Sequence, residues 1–165
     1  MHKLHRPALR RTNPIRVLVV DDEPQIREFV SRVLSDAGYH VTTAGDGPGA
    51  IATVEEHGAP DLLLTDFRMP QMDGDELAAR LRQSLPSLNV LYLTGYSQAL
   101  FENRALLWEG EAFLDKPCSP SELLEGVSML LFNHTTPTVA GLSHQVTPLR
   151  SFLGGLAKNP TRDVV

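Results

Sequence analysis

The chain has 165 residues, which fits one α/β domain with extensions and is too short for two full-sized domains. Its composition, 42% hydrophobic and 21% charged, excludes a disordered chain. The single cysteine, Cys118, excludes an intramolecular disulfide and a multi-cysteine metal site. Neither a secretion signal nor an apolar run of about 20 residues that could span a membrane is recognisable, so we expect a cytoplasmic protein.

The net charge of −5 is unevenly distributed along the sequence. Residues 1–14 carry four basic and no acidic side chains, and we expect a basic, flexible N-terminal extension there. Residues 132–165 have a net charge of +2. The segment between them, residues 15–131, has eight basic against nineteen acidic side chains, a net charge of −11. Because so acidic a domain repels nucleic acid, we expect it not to bind DNA or RNA directly.

Residues 15–131 alternate short apolar runs with amphipathic patterns, which is typical of a parallel sheet with crossover helices. Strands are predicted at 15–20, 41–44, 61–65, 89–93 and 112–114. Helices are predicted from Pro24 to a stop at Gly38, around 50–54, at 74–84, at 98–107 and after a capping box that opens at Ser119. The result is five βα units in a row, of which the fourth helix has the weakest pattern.

Beyond residue 132 the periodicity fades, and only Leu149, Phe152, Leu153 and Leu156 recur at helical spacing. This segment is too short for an effector domain and contains no helix-turn-helix pair. We therefore predict a C-terminal tail over 132–165 that is either flexible or loosely docked.

Polar side chains follow four of the five predicted strands. They are Asp21 and Asp22 after the first strand, Asp66 after the third, Thr94 after the fourth and Lys116 after the fifth. Because ligands of an open parallel sheet bind beyond the carboxyl ends of its strands, we expect these groups to converge at one edge. Crowded carboxylates need a cation, and Mg²⁺ would leave coordination positions free for phosphate oxygens. Each residue alone has an ordinary explanation, such as a helix cap or a solvated lysine. The presence of suitable side chains at four strand ends together is much harder to explain in this way.

Four motifs resemble a known family and together span about residues 15–131. They are LVVDDE (18–23), LLLTDFRMPQMDG (62–74), LYLTGY (91–96) and AFLDKP (112–117). In their order, spacing and strand context they resemble the receiver domains of bacterial response regulators, including the chemotaxis receivers. The resemblance implies a flavodoxin-like (βα)5 fold, a doubly wound parallel sheet with strand order 2-1-3-4-5.

The resemblance also implies a magnesium-dependent phosphorylation site. Asp66 would accept the phosphoryl group and would bind Mg²⁺ as well. Asp22 would be a direct ligand of the metal, Asp21 a ligand through water, and the backbone carbonyl of Arg68 a further ligand.

Three further residues would respond to the phosphoryl group. Thr94 would donate a hydrogen bond to it, Lys116 would pair with it, and Phe113 would turn inward on activation. The Lys116-Pro117 bond is expected to be cis. Arg68 and Tyr96 are expected to flank the pocket, where they either set how fast the aspartyl phosphate meets water or are only solvated surface side chains.

The implied function is that of a single-domain response regulator. It would accept a phosphoryl group from a histidine kinase or phosphotransfer protein and signal to an unknown protein target. The output surface would combine the fourth predicted helix, the fifth strand and the last helix. Such a protein is a switch and not an enzyme, because it catalyses only its own phosphorylation and dephosphorylation.

Two alternatives have weaker support in the sequence. A haloacid dehalogenase-like phosphatase also places its nucleophile after an apolar strand, but its motif resembles D-x-D, and Arg68 stands where the second, acid-providing aspartate would be. A nucleotide-binding module would use the G-x-G-x-x-A match at 45–50, but such a lone match is weak and a helix-initiating turn explains it.

Overall fold

A computed structural model describes residues 13–95 and 109–132 of the chain, which contain five parallel strands and four helices. The strands are β1 Arg16–Val20, β2 His40–Ala44, β3 Leu62–Thr65, β4 Asn89–Thr94 and β5 Glu111–Asp115. The helices are α1 Pro24–Asp36, α2 Gly47–His57, α3 Gly74–Arg82 and α4 Pro120–Phe132. The fourth predicted helix, at 98–107, lies outside the described residues, so α4 is the last predicted helix.

The strands form one parallel sheet with the order β2-β1-β3-β4-β5. This confirms the predicted flavodoxin-like topology. Strand β5 is longer by one residue at each end than the apolar run predicted, because Glu111 and Asp115 continue its ladder opposite Val90 and Thr94. Strand β4 likewise extends to Thr94, which brings this side chain to the edge of the sheet.

Local sequence signals account for the helix ends. Helix α1 begins with Pro24 and is followed by Gly38 in the left-handed conformation, with φ of +92°, as its predicted stop requires. Helix α2 is capped by Asp46, whose side chain accepts a hydrogen bond from the backbone N–H of Gly49 at 2.7 Å. This cap supports the helix-initiating reading of the glycine-rich turn over the nucleotide-binding one.

The predicted capping box before α4 is also present. The Glu122 carboxylate accepts hydrogen bonds from the backbone N–H of Ser119 at 2.7 Å and from its hydroxyl at 2.8 Å. These bonds lower the pKa of Glu122 because they favour its ionised form.

Hydrophobic side chains cover both faces of the sheet, as expected for parallel strands between two layers of helices. In β1, Val17 and Val19 face the cluster under α1 and α4, whereas Leu18 and Val20 face the cluster under α2 and α3. All four residues of β3 are buried. Within the described part of the chain, no helix has the length and apolar character needed to cross a membrane.

Candidate functional site

The ends of β1 and β3 place two aspartates next to each other. Val20 pairs with Thr65 at the last register position, and the backbone N–H of Asp66 donates to the Val20 carbonyl at 2.9 Å. The next residues, Asp21 and Asp66, therefore leave neighbouring strands at the same edge. Both are buried, with 1% and 7% of their surface exposed. Two carboxylates this deeply buried require a positive partner.

Lys116 supplies that positive charge from the end of β5. Its Nζ lies 2.7 Å from Asp21 Oδ2 and 3.0 Å from Asp66 Oδ2. Its backbone N–H donates to the Thr94 carbonyl at 2.9 Å, and the following Lys116-Pro117 bond is cis, as predicted. Three groups that are far apart in sequence thus converge at the carboxyl edge of the sheet.

The pKa values of this cluster reflect competition between burial and charge pairing. Burial raises the pKa of Asp21, and the nearby Lys116 opposes this shift without cancelling it. Burial would lower the pKa of Lys116, but its hydrogen bonds to Asp21 and Asp66 outweigh this effect, so its pKa is raised. The lysine therefore stays an ammonium group at neutral pH.

The same edge has the donor set of a hard divalent cation. Carboxylate oxygens of Asp21, Asp22 and Asp66 all lie within 4.8 Å of one another. Asp22 is exposed, which leaves the cluster open to water on one side. Carboxylate oxygens with space for several waters and a phosphate suit Mg²⁺, so the residues present fit this metal. The Arg68 carbonyl as a further ligand remains a prediction.

The two predicted switch residues lie on β4 and β5. Thr94 is fully buried at the end of β4, opposite Asp115. Phe113 is 7% exposed and belongs to the core cluster that contains Phe67 and Tyr92. In the described conformation the Phe113 side chain is thus already inside, and its change of position on activation remains a prediction.

The Arg68 side chain is directed by two neighbours. Its Nη1 lies 3.1 Å from Asp73 Oδ2, and its guanidinium lies 5.7 Å from the centroid of the Phe67 ring. Its backbone N–H contacts Asp66 Oδ1 at 3.3 Å. A guanidinium at this position cannot act as the general acid that the phosphatase alternative needs. Tyr96, the other predicted flanking residue, lies outside the described residues.

Three residues at the site were not singled out in the sequence. Glu23 Oε1 lies 3.4 Å from Lys116 Nζ and offers it a third carboxylate. Arg27 donates from Nη1 to the backbone carbonyl of Asp21 at 2.6 Å and fixes the acidic loop. Gly74 packs against Asp66 so closely that a Cβ would lie 2.1 Å from its carbonyl oxygen. Two of these residues had a signal in the sequence: Glu23 directly follows the aspartate pair, and Gly74 ends the motif that contains the third strand.

Comparison with known proteins agrees with this geometry. The sequence model described as "Response regulator receiver domain" matches residues 17–128. The chain is 37% identical over 126 residues to the probable transcriptional regulatory protein TcrX of Mycobacterium tuberculosis, covering 76% of this chain and 53% of that protein. It is 33% identical over 116 residues to the response regulator receiver protein CpdR of Brucella abortus, covering 70% of this chain and 96% of that protein.

A solved structure shows the same fold with a metal bound. The response regulator protein TrrA of Thermotoga maritima, in complex with Mg(2+)-BeF, is 35% identical with a TM-score of 0.62, covering 71% of this chain and 99% of that one. The chain spans about half the length of the first curated relatives it matches. The family match, the strand order and the acidic edge with its lysine agree, and the chain belongs to the response regulator receiver domain family.

Proposed function

We propose that this chain accepts a phosphoryl group on Asp66 from a histidine kinase or phosphotransfer protein and passes the signal on through protein contacts. The observation that carries the proposal is the ammonium group of Lys116, which lies 3.0 Å from Asp66 Oδ2 within the acidic edge. A cation at this distance can neutralise the Asp66 carboxylate before the transfer and a phosphoryl oxygen after it.

In the transfer step, a carboxylate oxygen of Asp66 attacks the phosphorus of a phosphohistidine. The new O–P bond forms as the N–P bond breaks, and the imidazole nitrogen leaves with the electron pair of that bond. Little covalent chemistry is needed from the protein, so its contribution is positioning and charge neutralisation. The hydrogen bond from the backbone N–H of Asp66 to the Val20 carbonyl holds the main chain of Asp66 at the end of β1.

The other side chains would stabilise the product. Lys116 exchanges its contact with Asp66 Oδ2 for a phosphoryl oxygen while its contact with Asp21 holds it in place. The Thr94 hydroxyl donates to another phosphoryl oxygen. Asp21, Asp22 and Asp66 would hold Mg²⁺, which supplies charge neutralisation for the phosphoryl oxygens when bound.

The proposed output is a protein–protein contact on the face that combines β5, α4 and the predicted helix at 98–107, of which the last lies outside the described residues. The net charge of −11 over residues 15–131 argues against direct nucleic-acid binding by this domain. We place the domain in the cytoplasm, where histidine kinases present their phosphoryl groups. The regulation of transcription named for TcrX belongs to that longer protein.

Incubation with Mg²⁺ and a small phosphodonor, followed by mass spectrometry, tests the proposal. The wild-type protein should gain one phosphoryl group, and peptide mapping should locate it on Asp66. Asp66→Asn keeps the shape of the side chain and removes the nucleophile, so it should remain unmodified while its circular dichroism is unchanged.

Asp36→Asn is the matched control, because Asp36 is an exposed aspartate at the opposite end of α1. This variant should be labelled like the wild type. Normal labelling of Asp66→Asn would show that the acceptor is a different residue.

A further inference from the structure

An open cleft of about 410 Å³ lies at the edge of the sheet opposite the phosphorylation site. Pro60 precedes β3, the turn of Leu85 to Leu88 precedes β4, and Leu131 comes from the last turn of α4. All these segments belong to the edge where the strands begin. The phosphoryl chemistry does not use this cleft.

The cleft combines a few apolar side chains with a lining that is more polar than apolar. Leu85 and Leu131 are half-buried and pack against the two core clusters on opposite faces of the sheet. Asp61, Ser84 and Ser87 contribute polar atoms to the rim. An aromatic or leucine side chain could bury its apolar surface here, at roughly 25 cal/mol per Å² removed from water.

The part of the chain that follows α4 contains such apolar side chains. The described residues end at Phe132, which is 58% exposed and follows the cleft residue Leu131. Thirty-three residues follow, and in them Leu149, Phe152, Leu153 and Leu156 recur at the spacing of one helical face. We call residues 149–156 the apolar tail segment.

We propose that the apolar tail segment of this chain docks in the cleft, with Phe152 as its main anchor. A coil of 16 residues, the length from 133 to 148, has an end-to-end distance of roughly 20–24 Å, which is comparable with the dimensions of a domain of about 100 residues. A segment tethered beside its own site is present there at an effective concentration in the millimolar range, so even a weak contact is occupied.

The charges favour this occupant as well. The segment 132–165 has a net charge of +2, whereas residues 15–131 have a net charge of −11. Arg150 lies inside the apolar tail segment, and Asp61 lies in the cleft. Long-range attraction therefore draws the tail toward the domain, and the apolar contact selects the cleft.

The test uses the full chain and compares amide chemical shifts in two tail variants. Phe152→Asp places a charge in the apolar stripe, and Ser151→Asp places the same charge on the opposite side of a helical pattern. Phe152→Asp should move the amide signals of Leu85, Leu88 and Asn89, whereas Ser151→Asp should leave them at their wild-type positions. Unchanged signals in Phe152→Asp would overturn the proposal.

A substitution on the cleft side provides an independent measurement. Ser87→Trp fills the cleft from its exposed rim, so the tail should be released and trypsin should cleave after Arg150 faster than in the wild type. Equal cleavage rates in the two proteins would contradict docking. A second copy of the chain could also occupy the cleft. In that case about tenfold dilution of the wild-type protein would shift its cleft signals to the positions that they have in Phe152→Asp, and this result would also overturn the proposal.

Discussion

At the scale of single residues, the positive charge of the site is the ammonium group of Lys116. The ammonium group is shared between Asp21 and Asp66, at 2.7 and 3.0 Å, with Glu23 further away at 3.4 Å. A lysine that contacted only one carboxylate would have no second contact to hold it in place when the first contact was exchanged. Under the proposed function, the contact with Asp66 would be exchanged for a phosphoryl oxygen while the contact with Asp21 holds, so the charge would not have to be repositioned.

The exposed aspartate of the acidic edge is predicted to dominate metal binding. Asp22→Ala removes one of three carboxylates whose oxygens lie within 4.8 Å of each other, so Mg²⁺ affinity should fall about tenfold or more, that is, by about 1.4 kcal/mol or more. Isothermal titration calorimetry of the unphosphorylated protein measures this directly. Asp36→Ala, at the far end of α1, should bind the metal like the wild type, and an equal affinity of Asp22→Ala would remove this residue from the metal site.

Arg68 is predicted to limit the access of water to the phosphorylated aspartate. Its side chain, 49% exposed, is held by Asp73 and lies beside the residue that follows the acceptor. Arg68→Ala should speed the decay of the aspartyl phosphate about two- to tenfold, a barrier change below about 1.4 kcal/mol, without changing the yield of phosphorylation. Phosphate release after removal of the donor gives the decay rate.

Arg80→Ala is the control for this prediction, because Arg80 forms a similar exposed ion pair with Glu76 at 2.6 Å on α3. A decay rate of Arg68→Ala that matches this control would show Arg68 to be a bystander.

At the scale of elements, the loop after β3 is fixed by a backbone contact that tolerates no side chain. A Cβ on Gly74 would lie 2.1 Å from the Asp66 carbonyl oxygen and 3.0 Å from Thr65 Cγ2. The N–H of Gly74 also donates to the Phe67 carbonyl at 2.8 Å. The start of α3 is therefore packed directly against the backbone of Asp66.

Gly74→Ala should consequently destabilise the protein, because backbone atoms cannot move aside as a side chain can. We expect a loss of about 1–3 kcal/mol or more in the free energy of unfolding, measured by urea denaturation. Gly95→Ala is the matched control, since a Cβ there meets nothing within 4 Å. If both variants unfolded at the same urea concentration, the close packing at Gly74 would carry no energetic weight.

The elements with strong local signals could be predicted from the sequence. Helix α1 has Pro24 at its start and Gly38 after its end, and the strands are short apolar runs, so their order followed from the βα alternation. The convergence of Asp21, Asp66 and Lys116 followed in turn from the rule for parallel sheets. Their separate roles in phosphorylation remain predictions.

Contacts between distant charged residues could not be predicted in the same way. Arg82 of α3 forms a partly buried ion pair with Glu111 of β5 and also donates from Nη2 to the Leu88 carbonyl at 2.8 Å. The Tyr92 hydroxyl donates to the same carboxylate at 3.3 Å. No local periodicity marks two residues 29 positions apart as partners. Such pairs depend on the final packing, and this one explains why β5 begins at a charged residue.

At the scale of the whole molecule, the proposed signal would pass from Asp66 to the proposed output face through β4 and β5. These strands pair along five positions from Val90–Glu111 to Thr94–Asp115. Thr94 is fully buried at the end of this ladder, so a new hydrogen bond from its hydroxyl to the phosphoryl group would favour one of two packings of the face. In this proposal the Thr94 hydroxyl is the group whose new hydrogen bond would distinguish the two packings.

Thr94→Ala should therefore accept phosphate but lose the response of the output face. Amide chemical shifts over 109–132 should change on phosphorylation of the wild type and stay unchanged in the variant. Thr94→Ser retains the hydroxyl and should keep the response, which separates the hydrogen bond from packing. Wild-type shift changes in fully phosphorylated Thr94→Ala would exclude this route of coupling.

The two points where the described domain joins the rest of the chain lie at one edge of the sheet. The Ile15 carbonyl, just before β1, accepts a hydrogen bond from the first residue of β2, and Leu131 in the last turn of α4 lies beside Asn89 at the start of β4. The proposed phosphorylation site is at the other edge. A polypeptide attached at either end would start from the edge of the sheet opposite Asp66, so it would leave the proposed site accessible to a phosphodonor. Under the proposed function, this separation would let the same phosphorylation chemistry work beside different attached polypeptides.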